Sequence, residues 1–161
     1  MDTDTTATTT DTAATAARTP IHLWIVGVLT TLWNAFGAYD YFMTRTKGAA
    51  YITQMMPGVD GTGYMAYINA FPIVVSIGWA LGVWVGLAGS ILLLMRSRWA
   101  VPALLISFVG AVVGLGYQIV RPPAIAEMSK GFNGVIGYIV IAAALALFVY
   151  ARAMRIKGVL R

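Results

Sequence analysis

Four long stretches without a single charged residue dominate the chain. They are Thr19 to Tyr39 with 21 residues, Asn69 to Met95 with 27, Trp99 to Val120 with 22, and Gly131 to Ala151 with 21. Within them apolar residues run on without the strict alternation of a half-buried strand. A helix that crosses roughly 30 Å of hydrocarbon needs about 20 such residues. The pattern therefore predicts four spanning helices over about 21–43, 70–95, 99–120 and 132–152. Barrel strands would need a two-residue period, and isolated strands would leave backbone groups unpaired in lipid. The predicted fold is all-α, an integral membrane four-helix bundle formed by one domain over residues 18–161.

The polar segments between these runs are informative too. Residues 1–17 are a Thr, Ala and Asp tail. It has no apolar stretch before Ile21, so it does not read as a signal peptide, and its composition predicts disorder. Arg96-Ser97-Arg98 is too short for anything but a turn, so the second and third spans must be antiparallel neighbours. Pro122-Pro123 stops the third span. The segment from Thr44 to Ile68 reads as a loop with a turn-rich centre, Pro57 to Gly63. Tyr51, Met55, Met56, Tyr64, Met65 and Tyr67 flank that centre, and aromatics of this kind favour the membrane interface. Asp60-Gly61-Thr62-Gly63 lacks the further acidic ligands of a calcium loop and reads as a plain turn.

Composition narrows the class. The chain has 161 residues, 59% apolar and 11% charged, and a mean hydropathy of +0.77. Soluble domains carry about 25% charged residues, so a soluble, disordered or coiled-coil protein is excluded. There is no cysteine and one histidine, so no cofactor or metal site is expected. The basic residues are unevenly placed. Arg18, Arg96, Arg98, Arg152, Arg155, Lys157 and Arg161 fall on one side of the predicted topology, and Arg45, Lys47, Arg121 and Lys130 on the other. The positive-inside rule puts the richer side, and with it both termini, in the cytoplasm. The net charge of +5 follows from that rule, and no nucleic-acid partner is expected because the basic residues hug the membrane ends.

Inside the spans, small and polar residues form stripes. Gly78, Gly82 and Gly86 recur every four residues, with Gly89 a turn on. This small-xxx-small pattern lets helix backbones approach closely. Gly110 and Gly114 on the third span are expected to join that packing. Ser107, Ala111, Gly114 and Gln118 mark a second stripe, and Gly27, Thr31, Asn34, Ala38 and Tyr41 a third. Asp40 is the acidic residue that borders a span. Placed in the last turn of the first helix, it would face the unfavourable end of the helix dipole and need a cation. Arg121 is the expected partner, chosen over Arg45 and Lys47. Asp40, Asn34, Tyr39, Tyr41, Arg121 and Gln118 are the candidate polar site, with a structural clamp as the plainer reading. His22 reads as interfacial. Glu127 has no evident partner, and Ser76, Ser90 and Ser107 have no base nearby in sequence, so no catalytic set can be assembled and an enzyme is not expected.

Several segments together resemble a family of small four-helix proteobacterial inner-membrane proteins. They are Leu32 to Thr44 (LWNAFGAYDYFMT), Trp79 to Trp84 (WALGVW), Gly89 to Leu94 (GSILLL) and Tyr150 to Met154 (YARAM). The resemblance spans about residues 18–161, and it departs in the first long loop, where Met-Pro-Gly-Val-Asp-Gly-Thr-Gly replaces the family's polar Thr-Pro-Glu-Gln-type helix start. Members are often labelled "sugar transporter". The resemblance thus implies four spans and an oligomeric solute permease, since four helices leave little room for a pathway. The alternatives are a non-transporting accessory subunit of a larger membrane complex and a structural or lipid-binding protein. The expected partners are the lipid bilayer and either further copies of the chain or that larger complex.

Overall fold

The computed structural model describes residues 19–125, 128 and 131–161. The Thr/Ala/Asp tail, Arg18, Glu127 and Lys130 lie outside the described residues. The chain is all-helical, in the order α1 (Ile21–Lys47), α2 (Ala49–Met55), α3 (Gly61–Asn69), α4 (Ile73–Leu94), α5 (Ala100–Val120) and α6 (Gly131–Ile156). Four of these, α1, α4, α5 and α6, are long and apolar enough to cross a membrane.

Local chemistry sets the boundaries. Pro20 precedes α1 and its carbonyl accepts from Leu23 N at 3.0 Å. The helix then runs a full turn past the expected end, to Gly48, whose φ of 57° breaks the ladder. α4 begins only after Pro72, because α3 runs on to Asn69 and Ala70 and Phe71 make the turn between the two helices. At the other end of α4, Arg96 N and Ser97 N bond back to Leu93 O and Leu92 O. This is a Schellman closure with Arg96, φ 57°, in the left-handed position that glycine normally takes. α6 closes the same way, from Gly158 N to Arg155 O and Val159 N to Met154 O.

The segment expected to be a membrane-surface loop is instead two short helices. α2 and α3 form a hairpin in which Gly61 sits so close to α2 that a Cβ there would lie 2.5 Å from Ala49 O and from Thr53 Oγ1. Asp60 is more than a turn residue. Its Oδ1 accepts from Thr62 N at 3.1 Å and Gly63 N at 3.0 Å, capping α3.

α4 is the central helix, flanked by α1 and by α5, and α6 packs on the far side of α5; α1 and α6 share no extended interface. Two apolar clusters close the bundle. At the end carrying the 96–98 turn, here the basic end, Leu23, Leu93, Leu104, Ala151 and Met154 meet Val159 and Leu160. The last residues are laced to the turn by Arg98 N to Arg161 O at 2.7 Å and Arg161 N to Arg96 O at 2.8 Å. His22 Nδ1 and the Tyr150 hydroxyl, 2.6 Å apart, tie α1 to α6 there. At the opposite, capped end, Ile52, Val59, Ile68, Phe71 and Val75 bury against one another. Between the clusters lies the glycine seam. A Cβ on Gly110 would lie 2.6 Å from Gly78 O and from Gly82 N, and one on Gly114 3.0 Å from Trp79 Cα. α4 and α5 touch backbone to backbone, as the stripes predict.

Candidate functional site

The residues singled out in the sequence separate into two groups on different levels of the bundle. The first is a polar node at the seam. Asn34 Nδ2 donates to Ser90 Oγ at 2.9 Å and to Thr30 O at 2.8 Å. Ser90 Oγ donates to Gly86 O at 2.7 Å, and Ser107 Oγ to Gly82 O at 2.7 Å. Gly86 is the cradle for this node, since a Cβ there would lie 2.7 Å from both Asn34 Oδ1 and Ser107 Oγ. Three helices thus meet through one amide and two hydroxyls whose donors are all engaged. Two of these bonds, Asn34 to Ser90 and Ser107 to Gly82, join different helices, and a bond of that kind contributes about 0.6 kcal/mol on average.

The second group surrounds Asp40. Because α1 continues to Lys47, Asp40 is not in its last turn but about 10 Å inside the helix end. Its neighbour Tyr41 packs edge-on against Trp79, centroids 4.7 Å apart, and against Trp84 at 6.3 Å. That contact sets this turn of α1 beside the body of α4 rather than at its rim. The expected ion pair with Arg121 does not form. Asp40 Oδ1 instead accepts from the Tyr51 hydroxyl at 2.9 Å, because α2 folds back from Gly48 and carries Tyr51 down to it. Arg121 is exposed, and its carbonyl accepts from the Tyr67 hydroxyl at 2.6 Å. Tyr39, half exposed, meets the Tyr51 ring edge-on at 6.4 Å.

α3 roofs the same region. The Tyr64 hydroxyl donates to Gln118 Oε1 at 3.4 Å, and Gln118 Nε2 reaches Gly114 O at 3.3 Å. Tyr64, Tyr67, Phe71 and Tyr117 continue as a chain of ring contacts between 5.0 and 6.1 Å. Burial pushes the Tyr51 phenol up to about 12, helped by its bond to Asp40, and pushes Tyr64 to about 12, helped by Tyr67 and Asp40. Both therefore remain donors across the neutral range. The carboxylate of Asp40 has a phenol on one side and no cation against it, a form of burial that costs free energy and makes an intramembrane acid a default site candidate.

Sequence reasoning missed Tyr51, Tyr64 and Ser90 as members of these groups. Ser90 carried a signal: it continues the four-residue series of Gly78, Gly82 and Gly86. Tyr51 and Tyr64 carried none, since only the α2–α3 hairpin brings them over the bundle. The other polar candidates are already engaged, His22 with Tyr150 and Asp60 with the start of α3. Comparison with known proteins gives no match to this chain among family models, curated proteins or solved structures.

Proposed function

We propose that this chain is a multi-pass bacterial inner-membrane protein that serves as a non-transporting accessory subunit of a larger membrane assembly, its basic end and both chain termini on the cytoplasmic side. The observation that carries the reading is α1. The face of α1 turned away from α4 keeps large side chains exposed along its length, from Trp24 through Leu32, Trp33 and Phe36 to Phe42. Indoles favour the interface, which suits Trp24 at the helix end. Trp33 lies about 18 Å along the helix from Ile21 and is still 48% exposed, a depth where a protein neighbour suits an indole better than acyl chains. The seam argues against conduction by one copy, because α4 and α5 touch through backbone and the polar node is saturated by its own members. The orientation follows from the arginines of the basic end, Arg96, Arg98, Arg152 and Arg155.

Reconstituting the purified chain in liposomes with a panel of sugars and ions tests the reading. It predicts no flux above protein-free vesicles, and a stoichiometric foreign subunit after gentle extraction. Transport by a homo-oligomer is the second reading, favoured by Asp40 and implied by the family resemblance. It predicts flux that Asp40→Asn abolishes while the fold survives.

A further inference from the structure

The geometry points to a binding site for an anionic phospholipid in the groove between the first turns of α5 and the last turns of α6. The groove has a volume of about 580 Å³ and is walled by Pro102 and Leu105 on one side and by Phe148, Arg152, Arg155 and Ile156 on the other. Phe148, Arg152 and Arg155 follow one another at four and three residues, so they form a single stripe on α6. The stripe runs from an aromatic ring at depth to two guanidinium groups at the basic end. Leu105 faces that apolar depth from α5.

The charge in the groove has no protein counter-ion among the described residues. Both arginines are exposed, and the acidic side chains of the described residues, Asp40 and Asp60, belong to the capped end, on Tyr51 and at the start of α3. The N-terminus of α5 opens on the same groove and adds the positive end of its dipole. Arginines at a membrane end are expected wherever the positive-inside rule acts, but that rule does not require two of them to flank an apolar channel between two helices. A phosphodiester meets the two guanidinium forks at the mouth, while its acyl chains lie along Leu105 and Phe148. The apolar wall selects a lipid over free phosphate, and the two positive charges disfavour a zwitterionic headgroup. Basic pockets between spanning helices hold anionic headgroups in this way.

The test titrates the purified full chain, in a neutral detergent, with phosphatidylglycerol, with phosphatidylcholine of the same acyl chains, and with inorganic phosphate, reading thermal midpoint and bound lipid by native mass measurement. Saturable binding of phosphatidylglycerol alone is expected, weakened about 10- to 30-fold in the R152Q/R155Q double variant. R152K/R155K keeps the charge and should keep most of the binding, which separates lost charge from a damaged fold. K157Q, outside the groove, should bind as the parent does. Equal response to phosphatidylcholine, an equal response to phosphate, or a K157Q loss as large as that of the double variant would overturn the site.

Discussion

Replacing Gly110 with alanine is the sharpest probe of the seam, because a second glycine on the same helix supplies its control. The new methyl group on Gly110 would lie 2.6 Å from Gly78 O, 2.6 Å from Gly82 N and 3.0 Å from Gly82 Cα, all backbone atoms. No rotamer change can relieve that contact, so α4 must retreat by roughly 1 Å to restore ordinary van der Waals spacing. Retreat loosens Gly82 against Ala111 and moves the carbonyl that Ser107 holds. Overpacking of this kind costs about 1–3 kcal/mol. Gly116 is also inside α5, but a Cβ there meets nothing within 4 Å. Both substitutions gain the same helix propensity, up to about 1 kcal/mol, so their difference isolates the seam. At about 2–4 °C per kcal/mol for a chain of this size, Gly110→Ala should melt roughly 2–12 °C below Gly116→Ala in the same detergent. Equal midpoints would refute the backbone contact between α4 and α5.

The remaining predictions concern the polar groups. Ser90→Ala should lower stability by about 0.6 kcal/mol, and by no more than about 1.7, with Asn34→Leu non-additive with it in a double-mutant cycle read by thermal unfolding. Tyr51→Phe should cost about 1.5–3 kcal/mol by removing the donor to Asp40, a loss that Asp40→Asn in the same chain largely cancels. Tyr51 and Tyr64 titrate near 12 when folded, against 10 for the free phenol. The unfolded chain therefore loses these protons first, so stability should fall as pH rises from 10 towards 12, less steeply in Tyr51→Phe and Tyr64→Phe. Thr31 Oγ1 is buried without a hydrogen-bond partner, so Thr31→Val should hold or raise stability, by about 1 kcal/mol at most, as read by thermal unfolding. Since the chain has no cysteine, a single cysteine at Thr62 should react with an impermeant thiol reagent on intact cells before one at Thr6 does.

The spans were legible because length and apolarity are properties of the chain alone, and the seam because glycine spacing of four is a helix-face property. The stripe on α5 was likewise readable, down to Ser107 and Gly114. What stayed hidden depended on the third dimension. Whether Asp40 finds a cation is decided by the direction the chain takes after Gly48, and that turn carries Tyr51, not Arg121, to the carboxylate. The length of α1 was misjudged because Arg45 and Lys47 look like a boundary, yet basic residues are favourable in a helix's last turn. The α2–α3 hairpin was hidden by its own turn signals, since Pro57, Gly58 and Asp60 separate two helices that are each too short to show a period.

Photo-crosslinking from position 33 in the native membrane tests the proposed role most directly. A photoreactive phenylalanine analogue replaces Trp33 on α1, and a second protein carries it in place of Leu145, which is 43% exposed on α6. The account predicts a discrete adduct between the position-33 probe and a different polypeptide, with lipid adducts from position 145. Adducts of the position-33 probe to lipid alone, or to a second copy of the 17.2 kDa chain, would contradict it.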